Sequence, residues 1–234
     1  MFFPKDRIVI LVGHYGSGKS ELAINLALLM SQFGETKEGN SLVWEKTYLA
    51  DLDIVNPYFR SREKADFLLS KKIDVICSAE DFPGVDLPYM PENLRVLFDN
   101  PKVCGVIDAG GDPAGAKVLA RYAEEIKKGV FPVYCVINAN RPLTKTSSDA
   151  IRYIGEIQAA ANLKISGLIN NTHLLGETVE EDVLRGAELV NEISRETGIP
   201  IVAHTASESI VSELQGKLNP ILPIEIYLRK PWET

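Results

Sequence analysis

The fold of this chain is decided by one short stretch, Gly13-His14-Tyr15-Gly16-Ser17-Gly18-Lys19-Ser20, which matches the phosphate-binding pattern G-x-x-x-x-G-K-[ST]. An apolar segment at 7–12 precedes the stretch, and apolar residues at helical spacing follow it over 19–33. Phosphate-binding loops of this kind need a buried strand before them and a helix after them. The sequence therefore predicts a strand, a phosphate-binding loop and a helix in immediate succession.

The residue types within this loop suit the chemistry of a phosphate group. Glycines at 13, 16 and 18 let the backbone turn tightly around an anion, so we expect the amides of Gly16 to Lys19 to point inward. The helix N-terminus adds about half a positive charge. We expect Lys19 to contact the β- and γ-phosphates and to take part in catalysis, and the Ser20 hydroxyl to bind Mg²⁺.

An aspartate ends another apolar strand, predicted at 102–107, in the form of a Walker B element. This residue, Asp108, is predicted to hold Mg²⁺ through a water, because ligands of an open parallel sheet collect at the carboxyl ends of its strands. Gly111 is placed to direct its backbone N–H toward a γ-phosphate. Asp112, just before Pro113, is predicted to cap a helix.

A second pair of carboxylates, Asp51 and Asp53, follows a strand predicted at 42–49. Side chains alternate along a strand, so both carboxylates are expected on the same side. There they would share a magnesium–water shell or orient an attacking water. A solvated acidic turn is the alternative, since Asn56-Pro57 follows directly and is typical of a turn.

Short apolar runs alternate with helical patterns along the whole chain, which predicts an α/β fold with a mostly parallel central sheet and helices on both faces. No linker is rich enough in Gly, Ser or charge to mark a boundary, so 1–234 is predicted to form a single domain. One segment, 78–91, interrupts this alternation of strand and helix patterns. It is expected to be an ordered segment on the surface that contacts a partner or substrate. The predicted strands are 7–12, 42–49, 74–77, 102–107, 131–137, 164–169, 200–203 and 224–228, and the predicted helices are 19–33, 61–70, 114–128, 147–161 and 178–197.

The composition of the chain argues against several classes of binding partner. The 234 residues carry a formal net charge of −7, and the pI is near 5.1, so nucleic acid is not expected as a partner. No apolar run is long enough to span a bilayer, and no secretory signal is apparent, so a cytoplasmic setting is expected. Cys77, Cys104 and Cys135 show no metal-ligand spacing and are expected to be buried small hydrophobes.

Three motifs together, namely the loop at 13–20, Asp51-x-Asp53 and Asp108-x-Gly110-Gly111, resemble the MinD/ParA/CobQ/CobB-type superfamily of P-loop NTPases. The resemblance implies that Asp53 positions the hydrolytic water and that Asp51 and Asp108 belong to the magnesium shell. It also implies that Asn171, at the end of the strand at 164–169, reads adenine. A strand terminator is the alternative role for Asn171. ATP is favoured over GTP, because the run at 170–173 lacks the guanine-reading Asn-Lys-x-Asp.

The chain departs from this superfamily at one position in the loop. Members that dimerise over ATP carry a second lysine where this chain has His14, and a neutral imidazole supplies no fixed charge at pH 7. A homodimer is therefore left open, and His14 either stacks near the nucleotide or faces solvent. For Arg60 and Arg62 two roles are open. They are cations that act on the phosphates of a second copy of the chain, or they are charges of a solvated loop. His173 and His204 are expected at the surface or in caps.

These features favour a Mg²⁺-dependent ATPase that acts as a nucleotide-driven switch on a protein partner. One alternative is an ATP-dependent small-molecule kinase or synthetase, with 58–62 and 78–91 lining its substrate pocket. Another is an ATP-binding module without catalysis. No membrane association is expected, because three prolines within 218–234 prevent a continuous amphipathic helix.

Overall fold

A parallel sheet forms the centre of the protein. A computed structural model describes residues 6–33, 44–52, 64–77 and 94–228. Within these ranges the strands are β1 (Ile8–Val12), β2 (Lys46–Leu52), β3 (Ile73–Cys77), β4 (Val103–Ala109), β5 (Val133–Ile137), β6 (Gly167–Asn170), β7 (Ile201–Ser207) and β8 (Ile221–Ile224). They join in the order β3-β2-β4-β1-β5-β6-β7-β8, and every neighbouring pair is parallel. The predicted α/β fold with a parallel sheet is confirmed.

Helices cover both faces of this sheet, as predicted. They are α1 (Lys19–Phe33), α2 (Ala65–Ser70), α3 (Arg95–Asp99), α4 (Pro113–Ala120), α5 (Ala123–Gly129), α6 (Ser147–Ala161), α7 (Glu180–Thr197) and α8 (Glu208–Leu214). On one face, Leu22 and Leu26 of α1 pack in one core cluster with Val9 and Leu49 of the sheet. On the other face, α3 to α7 bury their apolar side chains in a second cluster. The described helices are too short or too polar to cross a bilayer.

The strand order reverses at β1. On one side of it lie β4, β2 and β3, and on the other lie β5 to β8. All five residues of β1 are buried, and its carboxyl end leads directly into the loop at 13–18. Open parallel sheets bind ligands outside the carboxyl ends of their strands, at the point where the order reverses. The fold therefore brings the loops after β1, β4 and β5 together at one edge.

The predicted helix at 114–128 is wrong as a single element, because α4 and α5 are separated at Arg121 and Tyr122. The amides of these two residues bond to carbonyls three residues back, at Val118 and Leu119. Tyr122 is buried and stacks on Phe98 of α3, with ring centroids 5.4 Å apart. The hydrogen bonds to carbonyls three residues back, and this aromatic contact, both lie at the break between the two helices. The Asp112 cap is confirmed, since its carboxylate accepts from the Gly115 amide at 2.6 Å.

The end of the described chain also differs from the prediction. The last strand is Ile221–Ile224 rather than 224–228. Residues 225–228 instead lie along α1, where Asn25 bonds to the amide and the carbonyl of Glu225, each at 2.9 Å. The Glu21 carboxylate accepts from the amides of Tyr227 and Leu228. The backbone of residues 225–228 therefore bonds to polar side chains of α1 instead of pairing with a strand.

Two strands are displaced from their predicted bounds, since β2 is Lys46–Leu52 rather than 42–49 and β6 is Gly167–Asn170 rather than 164–169. In addition, α3 and α8 were not predicted, and β7 extends beyond 203. Cys104 and Cys135 are buried free thiols, as expected, and burial raises the pKa of Cys135 to about 12. The side chain of Cys77 and the segments at 53–63 and 78–93 lie outside the described residues. The single domain over 1–234 stays a prediction.

Replacing Gly105 with alanine should destabilise the sheet. A methyl group there would lie 2.6 Å from the Tyr48 carbonyl oxygen and 2.8 Å from the Leu97 side chain. We expect Gly105→Ala to lower the free energy of unfolding by about 1–3 kcal/mol, measured by urea denaturation.

The control for this substitution is Gly155→Ala in α6, where nothing lies within 4 Å of the added methyl group. It should raise the free energy of unfolding by about 0.5–1 kcal/mol, because alanine loses less backbone entropy in a helix. Equal effects of the two substitutions would contradict the packing at β4.

Candidate nucleotide-binding site

The loop between β1 and α1 can adopt its path only because it contains glycines. Gly13, Gly16 and Gly18 have φ angles of +145°, +73° and +83°, which side chains disfavour. A methyl group at Gly13 would collide with the Val136 carbonyl oxygen of β5, and one at Gly18 would collide with the Asn171 amide nitrogen. The loop is thus held closely between β5 and the segment after β6.

The structure brings Gly111 against the loop and Lys19. A methyl group at Gly111 would lie 3.0 Å from Lys19 Nζ and 2.9 Å from the Tyr15 amide nitrogen. Lys19 is buried, with 5% of its surface exposed. The hydroxyl of Tyr153 in α6 donates to the Gly111 carbonyl. Two residues predicted to contact phosphate, Lys19 and Gly111, are therefore neighbours.

One of the loop amides is used within the loop. The Ser17 N–H donates to the His14 carbonyl at 3.0 Å. The expectation that every amide from Gly16 to Lys19 points inward is therefore wrong for Ser17. The amides of Gly16, Gly18 and Lys19 remain for an anion, at the positive N-terminus of α1.

Two predicted magnesium-shell carboxylates are neighbours across the sheet. Asp51 of β2 and Asp108 of β4 are register partners, and both are buried. Register partners point to the same face, and two residues earlier Leu49 and Val106 are in the core cluster beneath α1. Both carboxylates therefore lie on the α1 face of the sheet. Asp53 lies outside the described residues.

The donor set suits Mg²⁺ bound together with phosphate. No cluster of three or more His, Cys, Asp or Glu residues that could hold a metal occurs in the described ranges. Mg²⁺ needs no such cluster, because it usually keeps several waters and binds one or two carboxylates plus substrate phosphates. Ser20, in the first turn of α1, is half-buried. Asp51, Asp108 and the Ser20 hydroxyl fit that pattern.

Asn171 links the loop to the neighbouring strand. Its side-chain amide donates to the Ser17 carbonyl at 2.6 Å, and its side-chain oxygen accepts from the Thr205 hydroxyl of β7. Only 1% of its surface is exposed. The residue after β6 thus fixes the loop backbone, a role that the sequence did not indicate. Its predicted contact with adenine stays a prediction.

The His14 ring packs against Tyr153 of α6. Its ring meets that of Tyr153 edge to face, with centroids 5.5 Å apart, and its Nδ1 lies 2.7 Å from the Tyr15 carbonyl oxygen. A carbonyl only accepts, so Nδ1 carries the proton and donates. Burial lowers the pKa of His14, and the charges of Lys19 and Arg141 lower it further. The neutral ring therefore supplies no positive charge to the loop.

His173 lies beside the loop rather than at the surface. Its Nδ1 accepts from the Leu175 amide at 3.2 Å, so Nε2 carries the proton. A methyl group at Gly18 would lie 2.8 Å from Nε2. Burial, with a smaller contribution from Arg141, lowers the pKa of His173 to about 4. The surface expectation is also wrong for His204, which is buried in β7 and contacts the Asn170 amide.

Buried polar atoms without a partner cluster at this loop. Within the described ranges, Ser17 Oγ and His173 Nε2 are buried and have no hydrogen-bond partner. Buried polar groups are normally satisfied, so such atoms call for an explanation. A polar ligand in the loop would provide partners, which fits the phosphate-binding interpretation.

Sequence reasoning missed Arg141, which follows β5. Its Nε donates to the Gly16 carbonyl at 2.6 Å. The signal that could have found it is its position, since the predicted strand at 131–137 ends at the same edge as the loop. Arg60 and Arg62, the cations that were considered, lie outside the described residues.

A polar network supports the two segments beside the loop. Arg185 of α7 bonds to Asp182 and to the side chain of Asn140, each at 2.7 Å. Asn140 and Asn138 both donate to the His173 carbonyl, at 3.3 and 3.4 Å. Asn138 and Asn140 thereby tie the segment after β5 to the segment after β6, and Arg185 of α7 holds Asn140.

No protein-family model matches the chain, and no curated protein matches it. Solved structures similar to it include the signal recognition particle receptor FtsY from Elizabethkingia anophelis and the signal recognition particle 54 kDa protein from Aeropyrum pernix K1, each in complex with GDP. The identities are 18% and 19% over 84% and 85% of this chain, with TM-scores of 0.47 for both. The chain spans 56% and 41% of those proteins. Likeness at this level assigns no function, and the MinD/ParA resemblance stays a prediction.

Acid should destabilise the protein through His173. With a pKa of about 4 in the folded state and an ordinary value of 6.5, the unfolded chain binds the proton more tightly. The stabilising effect of the neutral ring is complete above pH 6.5 and is lost as the pH falls toward 4. Relative to pH 7, this group should cost about 2 kcal/mol of unfolding free energy at pH 5.

His173→Gln removes this titration while leaving the carboxylates that also respond to acid. Urea denaturation of both proteins at pH 7 and pH 5 measures the effect. The wild type should lose about 2 kcal/mol more than the variant. Equal losses in the two proteins would contradict the burial of His173.

Proposed function

We propose that this protein binds a purine nucleoside triphosphate with Mg²⁺ at the loop 13–20 and hydrolyses it as a nucleotide-driven switch. The observation that carries the proposal is the position of Lys19. The lysine is buried at the start of α1, in the segment that follows β1, where the strand order reverses. It lies against Gly111, two residues after β4. A buried ammonium group needs an anionic partner, and a phosphate entering the loop supplies one.

Phosphate binding would use the backbone as much as side chains. The amides of Gly16, Gly18 and Lys19 and the N-terminus of α1 present positive partial charge, and Lys19 adds a full charge. Because these donors are fixed before the reaction, they can stabilise negative charge that develops on the γ-phosphate.

The metal would be held by Ser20 together with Asp51 and Asp108, directly or through water. Bound Mg²⁺ would neutralise charge on the β- and γ-phosphates. Asp53 is proposed to orient the attacking water, as the resemblance implies. The Gly111 amide is proposed to donate to the γ-phosphate.

A switch needs an element that responds to the γ-phosphate. Gly111 is bonded to Tyr153 of α6, and the Tyr153 ring contacts His14 of the loop. A displacement of Gly111 on hydrolysis would therefore be transmitted to α6. We propose that a protein partner, or a second copy of the chain, detects this change. ATP is the proposed nucleotide, because residues 170–173 lack the guanine-reading pattern.

Lys19→Ala should abolish hydrolysis and weaken ATP binding by about 100-fold or more, since charge-assisted contacts to phosphate are lost. Phosphate release and calorimetric titration with ATP, and with GTP in parallel, measure both. Lys164→Ala, at an exposed residue in the segment before β6, is the control and should behave as the wild type. Equal rates of phosphate release in the wild type and Lys19→Ala would overturn the proposal.

Asp108→Asn should remove the dependence of nucleotide affinity on Mg²⁺. Asparagine is nearly isosteric but loses the charge that holds the metal–water shell. Titration with ATP in Mg²⁺ or in EDTA should show a gain of about 10-fold from Mg²⁺ in the wild type and little in the variant. The matched control is Asp66→Asn on the exposed side of α2. A variant that keeps the full gain would contradict the assigned role of Asp108.

A further inference from the structure

Arg141 brings a guanidinium group to the phosphate-binding loop from another part of the chain. Its Nε–H donates to the Gly16 carbonyl at 2.6 Å. A methyl group at Gly16 would lie 3.0 Å from Nε and 3.1 Å from Cζ of Arg141, so the planar group lies directly against the loop backbone. The side chain is half-buried at the same edge of the sheet as Lys19.

The positive charge of Arg141 is not neutralised by its described neighbours. No carboxylate within the described ranges forms an ion pair with it. The titratable side chains that sense its charge are His14 and His173, and in both the pKa is lowered, so both rings are neutral at pH 7. A cation that no carboxylate of the described ranges neutralises can pair with an anion.

The donors of Arg141 are divided between the loop and the space beside it. The bond to Gly16 uses Nε, and the two terminal nitrogens make no hydrogen bond to the described residues. Guanidinium carries donors in a fixed planar arrangement, which suits simultaneous contact with a carbonyl and a phosphate. The three donors of a lysine share one nitrogen and lack this fixed planar arrangement.

The backbone around Arg141 is itself fixed. The Arg141 amide donates to the Asn138 carbonyl at 3.0 Å, and the Thr144 amide donates to the Arg141 carbonyl at 3.0 Å. The buried Thr144 hydroxyl donates to the same Asn138 carbonyl at 2.7 Å. A binding side chain is most effective when the segment that carries it is already ordered.

We propose that Arg141 contacts the phosphates of the bound nucleotide and supplies, within one chain, the fixed positive charge that position 14 lacks. The inference rests on the proposed function, since it requires a nucleotide in the loop. It adds a specific residue that neither the loop motif nor the resemblance contains. A single copy of the chain then carries two cations at the phosphates, Lys19 and Arg141.

The test separates the charge of Arg141 from its bond to Gly16. Arg141→Gln keeps an N–H that can reach the Gly16 carbonyl but removes the charge, whereas Arg141→Lys keeps the charge. Arg141→Ala removes both. Calorimetric titration with ATP–Mg²⁺ and with ADP–Mg²⁺ gives the affinity of each variant, and thermal unfolding without ligand checks that each folds. Arg152→Ala, which removes an exposed ion pair to Asp149 on α6, is the matched control.

We expect Arg141→Ala and Arg141→Gln to bind ATP about 10- to 100-fold more weakly than the wild type, as the loss of a charge-assisted contact predicts. Arg141→Lys should recover part of the affinity, and Arg152→Ala should match the wild type. Wild-type affinity in Arg141→Gln would overturn the inference, because Arg141 would then serve only to hold Gly16. Wild-type affinity in Arg141→Ala would overturn it as well. If the wild type itself binds no nucleotide, the proposed function fails first, which is a different result.

Discussion

The path of the loop between β1 and α1 depends on the absence of side chains at a few positions. Gly13 touches the backbone of β5, Gly16 lies under Arg141, and Gly18 lies under Asn171 and His173. Gly111 approaches from β4. Main-chain amides can face an anion only where no Cβ intervenes, so these close approaches position the donors of the loop. The groups that approach the loop belong to β5 and to the segments that follow β4, β5 and β6.

Polar groups around the loop, among them the buried Asn171, bond to its backbone or hold the segments beside it. Asn171 bonds to the loop carbonyl of Ser17, Arg141 bonds to that of Gly16, and α7 holds the segments that carry them through Arg185 and Asn140. Buried hydrogen bonds are costly to break when one partner is left unsatisfied. The loop is therefore preorganised, and an anion need not order it on binding. Preorganisation of this kind supports tight binding and electrostatic stabilisation of a transition state.

Much of this arrangement could be predicted from local patterns. The helices at 19–33 and 147–161 have the predicted bounds, the Asp112 cap forms, and Asp51 and Asp108 lie near the carboxyl ends of β2 and β4. These features depend on residues a few positions apart, so a single sequence reports them well. The break between α4 and α5 was not predicted, and at the break Tyr122 stacks against Phe98, which belongs to a different element.

The sequence by itself determined the loop, the strand and helix that flank it, and the acidic ends of two strands, because each depends on neighbouring residues and on backbone freedom at glycine. Only the tertiary structure decided which distant side chains reach the loop. Arg141 contacts Gly16 across 125 positions of the chain, and Asn171 contacts Ser17 across 154. Such contacts follow from the order of strands in the sheet. That order is set by the packing of whole elements, which no short stretch of sequence encodes.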